Sequence, residues 1–189
     1  MAISRLHGVA LCTLVVLTTG CAQLKAPPYA ADYEALDRLK AGSPAPVAVA
    51  TVQPTDPGHV VNNLSLRGTS LGSPSGTFAK YLEDALIRDL KDVSAYDANA
   101  RTRLDATIVT NDISVGNIVT GTGTMEVALT VTRDAQKRLA KTYKTNIKFE
   151  SSFAGMVAIP AGQAAYPQLV RALLRDIYSD PQFIAAVGK

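Results

Sequence analysis

"TMEVALTVTR", residues 124–133, is the stretch that decides the fold, because its apolar and polar side chains alternate without a break. Successive side chains of a β-strand point to opposite faces of a sheet, so this alternation predicts a half-buried strand. The inward set is Met125, Val127, Leu129 and Val131, and the outward set is Glu126, Ala128, Thr130 and Thr132. A strand of this kind belongs to a sheet that is covered on one face only.

Two further stretches alternate in the same way on either side of this strand. They are residues 103–115, "RLDATIVTNDISV", and residues 139–153, "LAKTYKTNIKFESSF". The inward set of the last stretch is Tyr143, Thr145, Ile147, Phe149 and Phe153. Because the linkers 116–123 and 134–137 are short, the three stretches are predicted to pair as an antiparallel meander.

Two amphipathic helices accompany the meander. Residues 77–93, "TFAKYLEDALIRDLKDV", carry apolar side chains at steps of three and four, and Thr77 is a favourable N-cap. A second helix is predicted to begin near Pro167, since proline suits the first helical turn. "SDP" at 179–181 ends that helix and begins a short one.

The remaining strand candidate completes the fold prediction. Residues 46–54, "PVAVATVQP", are apolar enough for a buried strand, and a right-handed crossover through helix 77–93 places it parallel to a neighbour. The polar outer faces of the strands argue against helices on both sides. The predicted fold class is therefore α/β (α+β), a two-layer sandwich of a mixed, mostly antiparallel sheet of about four strands with two main helices on one face.

The leading segment has the layout of an export signal. Arg5 precedes an apolar run at 9–17, which is too short to span a bilayer. The following residues "TTGC" resemble the lipobox of bacterial lipoproteins, in which the cysteine is lipidated and becomes the new N-terminus, although Leu17 stands one place early. Cys21 is thus the predicted lipidation site, and the alternative is ordinary signal cleavage with Cys21 as a free thiol.

The predicted organisation has three parts: a signal peptide at 1–21, a proline-containing spacer at 22–45 and a single α/β domain at 46–189. Within the spacer, the spacing of Tyr33, Leu36 and Leu39 predicts one or two helical turns ending at Gly42. Inside the domain, residues 54–76 are expected to form a long loop, either functional or partly disordered.

Charge and residue inventory exclude several kinds of site. Without residues 1–21, 18 Lys and Arg stand against 16 Asp and Glu with the signs interspersed, which lacks the clustered basic face of a nucleic-acid binder. His59 is the one histidine after the signal, so a metal site is not expected, and His59 is interpreted as a solvated loop residue. Adjacent Glu83 and Asp84 point about 100° apart on a helix and are expected to form a solvated face.

One connection is unusually apolar. Residues 151–162, "SSFAGMVAIPAG", join the last strand of the meander to the second helix, and they either pack into the core, which we favour, or contact a partner. The partner hypothesis names Arg67, in the small-residue run before the first helix, together with Phe153, Met156 and Ile159.

From residue 77 onward the chain resembles the YajG-like group of small Gram-negative lipoproteins. The resemblance is carried by "FAKYLEDALIRDL", "LDATIVTNDISVGN", "YKTNIKFESSFAG" and "LLRDIYSDPQFIAAV". It implies an outer-membrane lipoprotein without a known enzymatic activity. In lipoprotein systems of the enteric type, Ala22 rather than Asp after the cysteine implies delivery to the outer membrane.

The sequence therefore predicts a non-enzymatic lipoprotein on the outer membrane, with its domain in the periplasm binding or supporting an envelope protein complex. Its expected partners are the membrane, through the lipid on Cys21, and an envelope protein, with no nucleic acid, cofactor, metal or small-molecule substrate. An accessory subunit of a lipid or lipopolysaccharide transport machine is the alternative. An envelope hydrolase that uses His59 is the third hypothesis.

Overall fold

The computed structural model describes residues 24–117 and 119–189. In this part of the chain the strands are β1 (Leu24–Lys25), β2 (Val47–Val49), β3 (Leu64–Leu66), β4 (Thr69–Gly72), β5 (Thr102–Ser114), β6 (Thr120–Arg133) and β7 (Gln136–Glu150). The helices are α1 (Tyr33–Ala41), α2 (Phe78–Asp92), α3 (Gly155–Tyr178) and α4 (Pro181–Val187), and a 3-10 turn spans Val60–Asn62.

The predicted fold class is confirmed. A four-stranded sheet has the order β2-β5-β6-β7, in which β2 is parallel to β5 and the other pairs are antiparallel. β6 and β7 are joined by a two-residue turn whose residues Asp134 and Ala135 have φ of 49° and 61°. Positive φ at both central residues is typical of a type I′ hairpin, which matches the twist of the strands it joins.

A β-bulge interrupts the alternation of β5. The pairing with β6 shifts between Ile108 and Thr110, and the extra residue Val109 is exposed. One added residue turns the following side chains to the opposite face. For this reason Asn111 points inward, where its amide nitrogen donates to the Val61 carbonyl (2.9 Å) and contacts the Tyr166 hydroxyl (3.2 Å).

The core lies between the sheet and the two long helices. Thr77 is the N-cap of α2, as predicted, and its hydroxyl accepts a hydrogen bond from the Lys80 amide at 3.0 Å. Tyr166 of α3 packs against Phe78 and Tyr81 of α2, with ring centroids 4.5 and 5.3 Å away. Met125, Val127, Leu129 and Val131 of β6 are all buried beneath the helices, as their alternation indicates.

The prediction that the second long helix begins near Pro167 is wrong, because α3 begins at Gly155 and contains both Pro160 and Pro167. A proline inside a helix costs about 3 kcal/mol relative to alanine. Here the burial of one face of α3 outweighs that local preference. The buried side includes Ala158, Gly162, Ala165, Tyr166, Pro167, Leu169 and Val170.

The stretch 54–76 is more ordered than a long loop. β3 and β4 form a hairpin through Arg67 and Gly68, and β4 also pairs in parallel with β1, so the second sheet has the order β1-β4-β3. The isolated helical turns predicted before Gly42 are present as α1, and the short helix after "SDP" is present as α4. Asp180 caps α4 by accepting from the Gln182 amide at 2.9 Å.

Candidate functional site

The predicted lipidation site, Cys21, lies outside the described residues. The first described residue, Leu24, already belongs to β1, where Leu24 pairs with Leu71 and Lys25 pairs with Gly72. Only Ala22 and Gln23 stand between Cys21 and this paired strand. The prediction that Cys21 carries lipid therefore remains untested, but its neighbourhood in the chain is defined.

The segment 24–32 is fastened to the two long helices by side chains that donate to its backbone carbonyls. The Lys25 carbonyl accepts from Gln163 (2.6 Å) and the Ala30 carbonyl accepts from Arg171 (2.9 Å). From α2, Tyr81 donates to the Pro27 carbonyl and Arg88 to the Tyr29 carbonyl, each at 2.8 Å. An extended segment forms few internal hydrogen bonds, so these side chains supply donors to its backbone carbonyls, of which those of Pro27 and Tyr29 are in part-buried hydrogen bonds. Residues 24–32 are therefore packed on the domain, where the sequence interpretation expects a spacer.

A buried carboxylate joins this segment to both helices. Asp89 of α2 is 1% exposed, and its Oδ2 accepts from the Tyr29 hydroxyl (2.9 Å) and the Tyr178 hydroxyl (3.1 Å). Burial raises the pKa of Asp89 to about 6, although the two tyrosine hydrogen bonds act to lower it. Within the described residues, Oδ1 has no hydrogen-bond partner. The sequence contained a signal for this group, since Asp89 follows Ala85 and Leu86 by four and three positions on the apolar stripe of α2.

Arg67 holds three segments together at the start of α3. It lies in the β3–β4 turn with φ of 51°, and its guanidinium donates to the carbonyls of Val115, Ser152 and Phe153. The distance from Nη2 to the Ser152 oxygen is 2.9 Å. Arg67 is one of the predicted partner-binding residues, a prediction that these contacts do not test, and its guanidinium has three carbonyl partners within the chain.

Four exposed apolar side chains surround this point. Phe153 is 76%, Met156 85%, Val157 53% and Val119 70% exposed, and the Val119 carbonyl accepts from the Ser151 amide at 3.0 Å. We call Val119, Phe153, Met156 and Val157 the apolar tip. The favoured expectation that this connection packs into the core is wrong for Phe153 and Met156, because the strand ends at Glu150 and the first turn of α3 faces outward.

Ile159, the fourth predicted partner-binding residue, differs from the apolar tip. It is partly buried and packs against the core, as expected from its position one helical turn after Gly155. The structure thus brings Arg67 and Phe153 together through a hydrogen bond and leaves Met156 exposed on the same short stretch, while Ile159 contributes to packing.

The other face of the four-stranded sheet is polar. On this face Glu126 forms an ion pair with Lys144 (3.8 Å between the charged atoms), and the Thr124 hydroxyl contacts the Asn146 side-chain oxygen at 2.9 Å. These side chains are exposed or half-buried. The prediction that one face of the sheet remains open is consistent with this burial pattern.

The residues considered for catalysis lie in separate places. His59 is exposed, and its Nδ1 accepts from the Val61 amide at 3.4 Å, so this side chain caps the 3-10 turn. The expectation that Glu83 is solvated is wrong, because it is 9% exposed and accepts from the Val52 amide (3.0 Å) and the Lys80 ammonium (2.8 Å). No group of three or more His, Cys, Asp and Glu side chains that could hold a metal occurs in the described ranges.

The described residues carry several open clefts, and three of them, of about 520 to 660 Å³, lie around Lys189. A cleft of about 230 Å³ lies between residues 24–32 and α2, and its lining includes Pro28, Tyr29, Tyr81, Asp84 and Arg88. Sites for small molecules are usually 300 to 1,000 Å³, so this cleft is smaller than a typical ligand site. Across residues 24–117 and 119–189, every helix is too short or too polar to cross a membrane.

No protein-family model matches the chain, and no curated protein matches it either. In structure, the chain is similar to a Xanthomonas campestris protein of family DUF330, with a TM-score of 0.58 and 13% identity over 86% of this chain and 92% of that one. It is also similar to a Caulobacter crescentus protein described as a candidate lipoprotein, with a TM-score of 0.47 and 12% identity over 83% of this chain and 98% of that one.

The likeness to the Xanthomonas protein shows a shared fold, since 13% identity extends no further than architecture. The resemblance to the YajG-like group is not confirmed by these comparisons and stays a prediction. What the chain shares with a solved structure is thus the arrangement of its sheet and helices over most of its length.

Proposed function

We propose that the protein is a non-enzymatic lipoprotein of the outer membrane, attached through lipid on Cys21, with its α/β body in the periplasm. The observation that carries this proposal is the sequence from the apolar run to "TTGC", which has the layout of a lipoprotein signal and ends three residues before the first packed strand. Two or more acyl chains on one cysteine give stable attachment, whereas one chain gives marginal binding.

The role of the body is to bind or support an envelope protein, and the polar face of the sheet is the surface we assign to that contact. On this face Glu126 is in register with Lys144, and Thr124 is in register with Asn146, across β6 and β7. Charged and amide groups on a flat sheet suit a polar, reversible protein contact better than the lining of a lipid-carrying groove.

Metabolic labelling with a fatty acid tests the attachment. The wild-type chain is expected to incorporate label, and Cys21→Ala is expected to abolish incorporation. Cys12→Ala is the matched control, because Cys12 lies inside the apolar run and is removed with the signal. Label that persists in Cys21→Ala contradicts the attachment, whatever the fate of the partner hypothesis.

Crosslinking from the sheet face tests the partner. A photoreactive residue introduced at Asn146 is expected to crosslink one envelope protein in living cells, and one at the exposed Asp37 of α1 is expected not to. Charge reversal by Lys144→Glu should weaken the Asn146 crosslink. Equal crosslinking from both positions contradicts the assignment of the sheet face.

A further inference from the structure

Residues 24–32, which we call the fastened segment, run in the same direction as α3. Lys25 is held by Gln163, Ala30 by Arg171 and Asp32 by Arg175, so positions on the segment and positions on the helix increase together. Within the described residues, moving from Asp32 back to Lys25 therefore leads toward the beginning of α3. This is the end of the molecule that carries the apolar tip.

The length of the chain limits how far Cys21 can lie from the Lys25 contact. Three residues stand between Cys21 and Lys25, and the four steps along the chain span at most about 14 Å. Gln163, which contacts Lys25, is eight residues after Gly155, or about 12 Å along the helix axis. The maximum reach from this contact to Cys21 is thus similar to the length of α3 between the same contact and its beginning.

The chain that begins at the apolar tip is uncharged over an unusual length. Residues 151–170 contain no charged side chain, and the next charge is Arg171. Large exposed apolar side chains grouped on one part of a surface mark contact sites for proteins or membranes. A cluster beside a membrane attachment point meets the bilayer at high local concentration, since the short chain keeps it there.

The apolar tip is also held outward. The guanidinium of Arg67 binds the carbonyls of Ser152 and Phe153, which fixes the backbone between β7 and α3. Exposed charges nearby are of both signs, with Lys25 and Lys148 against Asp112 and Glu150. A contact made here with lipid would accordingly depend on apolar burial more than on attraction to anionic headgroups.

From these observations we infer that the apolar tip inserts into the lipid surface to which Cys21 is attached. The beginning of α3 then faces the membrane. The inference rests on the proposed function, because the lipid on Cys21 brings the apolar tip to the bilayer. It assigns Phe153, Met156 and Val157 to lipid, and leaves the polar sheet face for the protein partner.

The absence of tryptophan from the chain gives a direct test. The full chain with Phe153→Trp is purified from membranes and reconstituted into neutral phosphatidylcholine vesicles, with and without bromine on the acyl chains. Tyr33→Trp is the matched control: Tyr33 is equally exposed (75%) but follows Asp32, whose partner Arg175 is twenty residues, about 30 Å, beyond Gly155.

The reporter at position 153 is expected to shift to shorter wavelength and to lose most of its fluorescence to brominated lipid, while the reporter at position 33 loses none. Raising the salt concentration should leave the quenching unchanged. Flotation of the protein with the vesicles reports attachment separately. Flotation without quenching at position 153 overturns the inference and leaves the attachment intact. This is the result expected if the apolar tip contacts a protein partner instead of lipid. Equal quenching at both positions also overturns it, and failure to float contradicts the attachment and the inference together.

Discussion

The buried carboxylate of Asp89 makes the stability of the protein depend on pH in a direction opposite to that of most carboxylates. Its pKa is raised to about 6 from an ordinary value of 3.8, because burial disfavours the charged form. Between about pH 4 and pH 6 the unfolded chain releases this proton while the folded protein retains it. The contribution of Asp89 to the free energy of unfolding is therefore fully present below about pH 4 and is lost as the pH rises through about 6.

The size of the loss follows from the shift. Each pKa unit corresponds to about 1.4 kcal/mol, so a shift of about two units amounts to roughly 3 kcal/mol. Asp89→Asn has nearly the same shape but cannot ionise. We subtract the free energy of unfolding of wild type from that of this variant at each pH. We expect this difference to be about 3 kcal/mol larger at pH 7.5 than at pH 4, which means that the variant gains stability relative to wild type as the pH rises. The amide beside Tyr29 and Tyr178 also changes the free energy of unfolding, but by the same amount at every pH, so this change cancels when the two pH values are compared.

Urea unfolding followed by circular dichroism at several pH values between 4 and 7.5 measures the difference. Asp32 and Asp180 have lowered pKa values, since their hydrogen bonds outweigh the burial that would raise them. Those two groups destabilise the fold as the pH falls, but they do so equally in both proteins. Asp37→Asn, on the exposed side of α1, is the control. Curves for wild type and Asp89→Asn that stay parallel from pH 4 to pH 7.5 would refute the reasoning.

Three further predictions concern single side chains. Arg67→Ala should lower the free energy of unfolding by about 1 to 2 kcal/mol through the lost carbonyl contacts. Arg67→Gly should recover about 1 kcal/mol of that loss, because φ at position 67 is 51° and only glycine adopts such a value without strain. Equal urea midpoints for the two variants argue against backbone strain at this position. In the detergent-free protein, Met156 should be oxidised by peroxide much faster than the fully buried Met125, as read by peptide mass spectrometry, and similar rates would show that the apolar tip is covered. Thr77→Ala should destabilise by about 1 kcal/mol through loss of the α2 cap, whereas Thr77→Ser should be nearly neutral in the same unfolding assay.

The sheet and the first long helix could be predicted because their signals are local and periodic. The alternation in 124–133 fixes which side chains face inward, and the steps of three and four in 77–93 mark one stripe of a helix. Both patterns survive in the structure as β6 and α2. The bulge at Val109 could not be predicted, since one unpaired residue in β5 changes no composition and is defined only against its partner strand.

The beginning of α3 was misplaced because proline has a strong local meaning. Pro167 alone predicts a first turn, yet the residues before it are helical because their small side chains allow close packing. At Gly162 an added Cβ would lie 2.8 Å from side-chain atoms of Leu66 and of Val115. Such contacts join residues far apart in sequence, so tertiary packing overrides propensity without leaving a periodic sign.

The candidate site shows the same division between local and distant information. Cys21 is predicted from a short motif, whereas the exposure of Phe153 and Met156 was not predicted, because it depends on the end of β7 at Glu150 rather than at residue 153. The fastening of residues 24–32 depends on side chains of Tyr81, Arg88, Gln163 and Arg171, which lie more than fifty residues away. Proline-rich sequence therefore predicts an extended spacer between lipid and body, whereas these hydrogen bonds pack residues 24–32 on the domain and leave two residues of sequence, Ala22 and Gln23, between Cys21 and β1. With the proposed attachment at Cys21, so short a link would leave the body few orientations on a bilayer, so the residues beside β1, rather than the length of a spacer, would determine which surface meets the membrane.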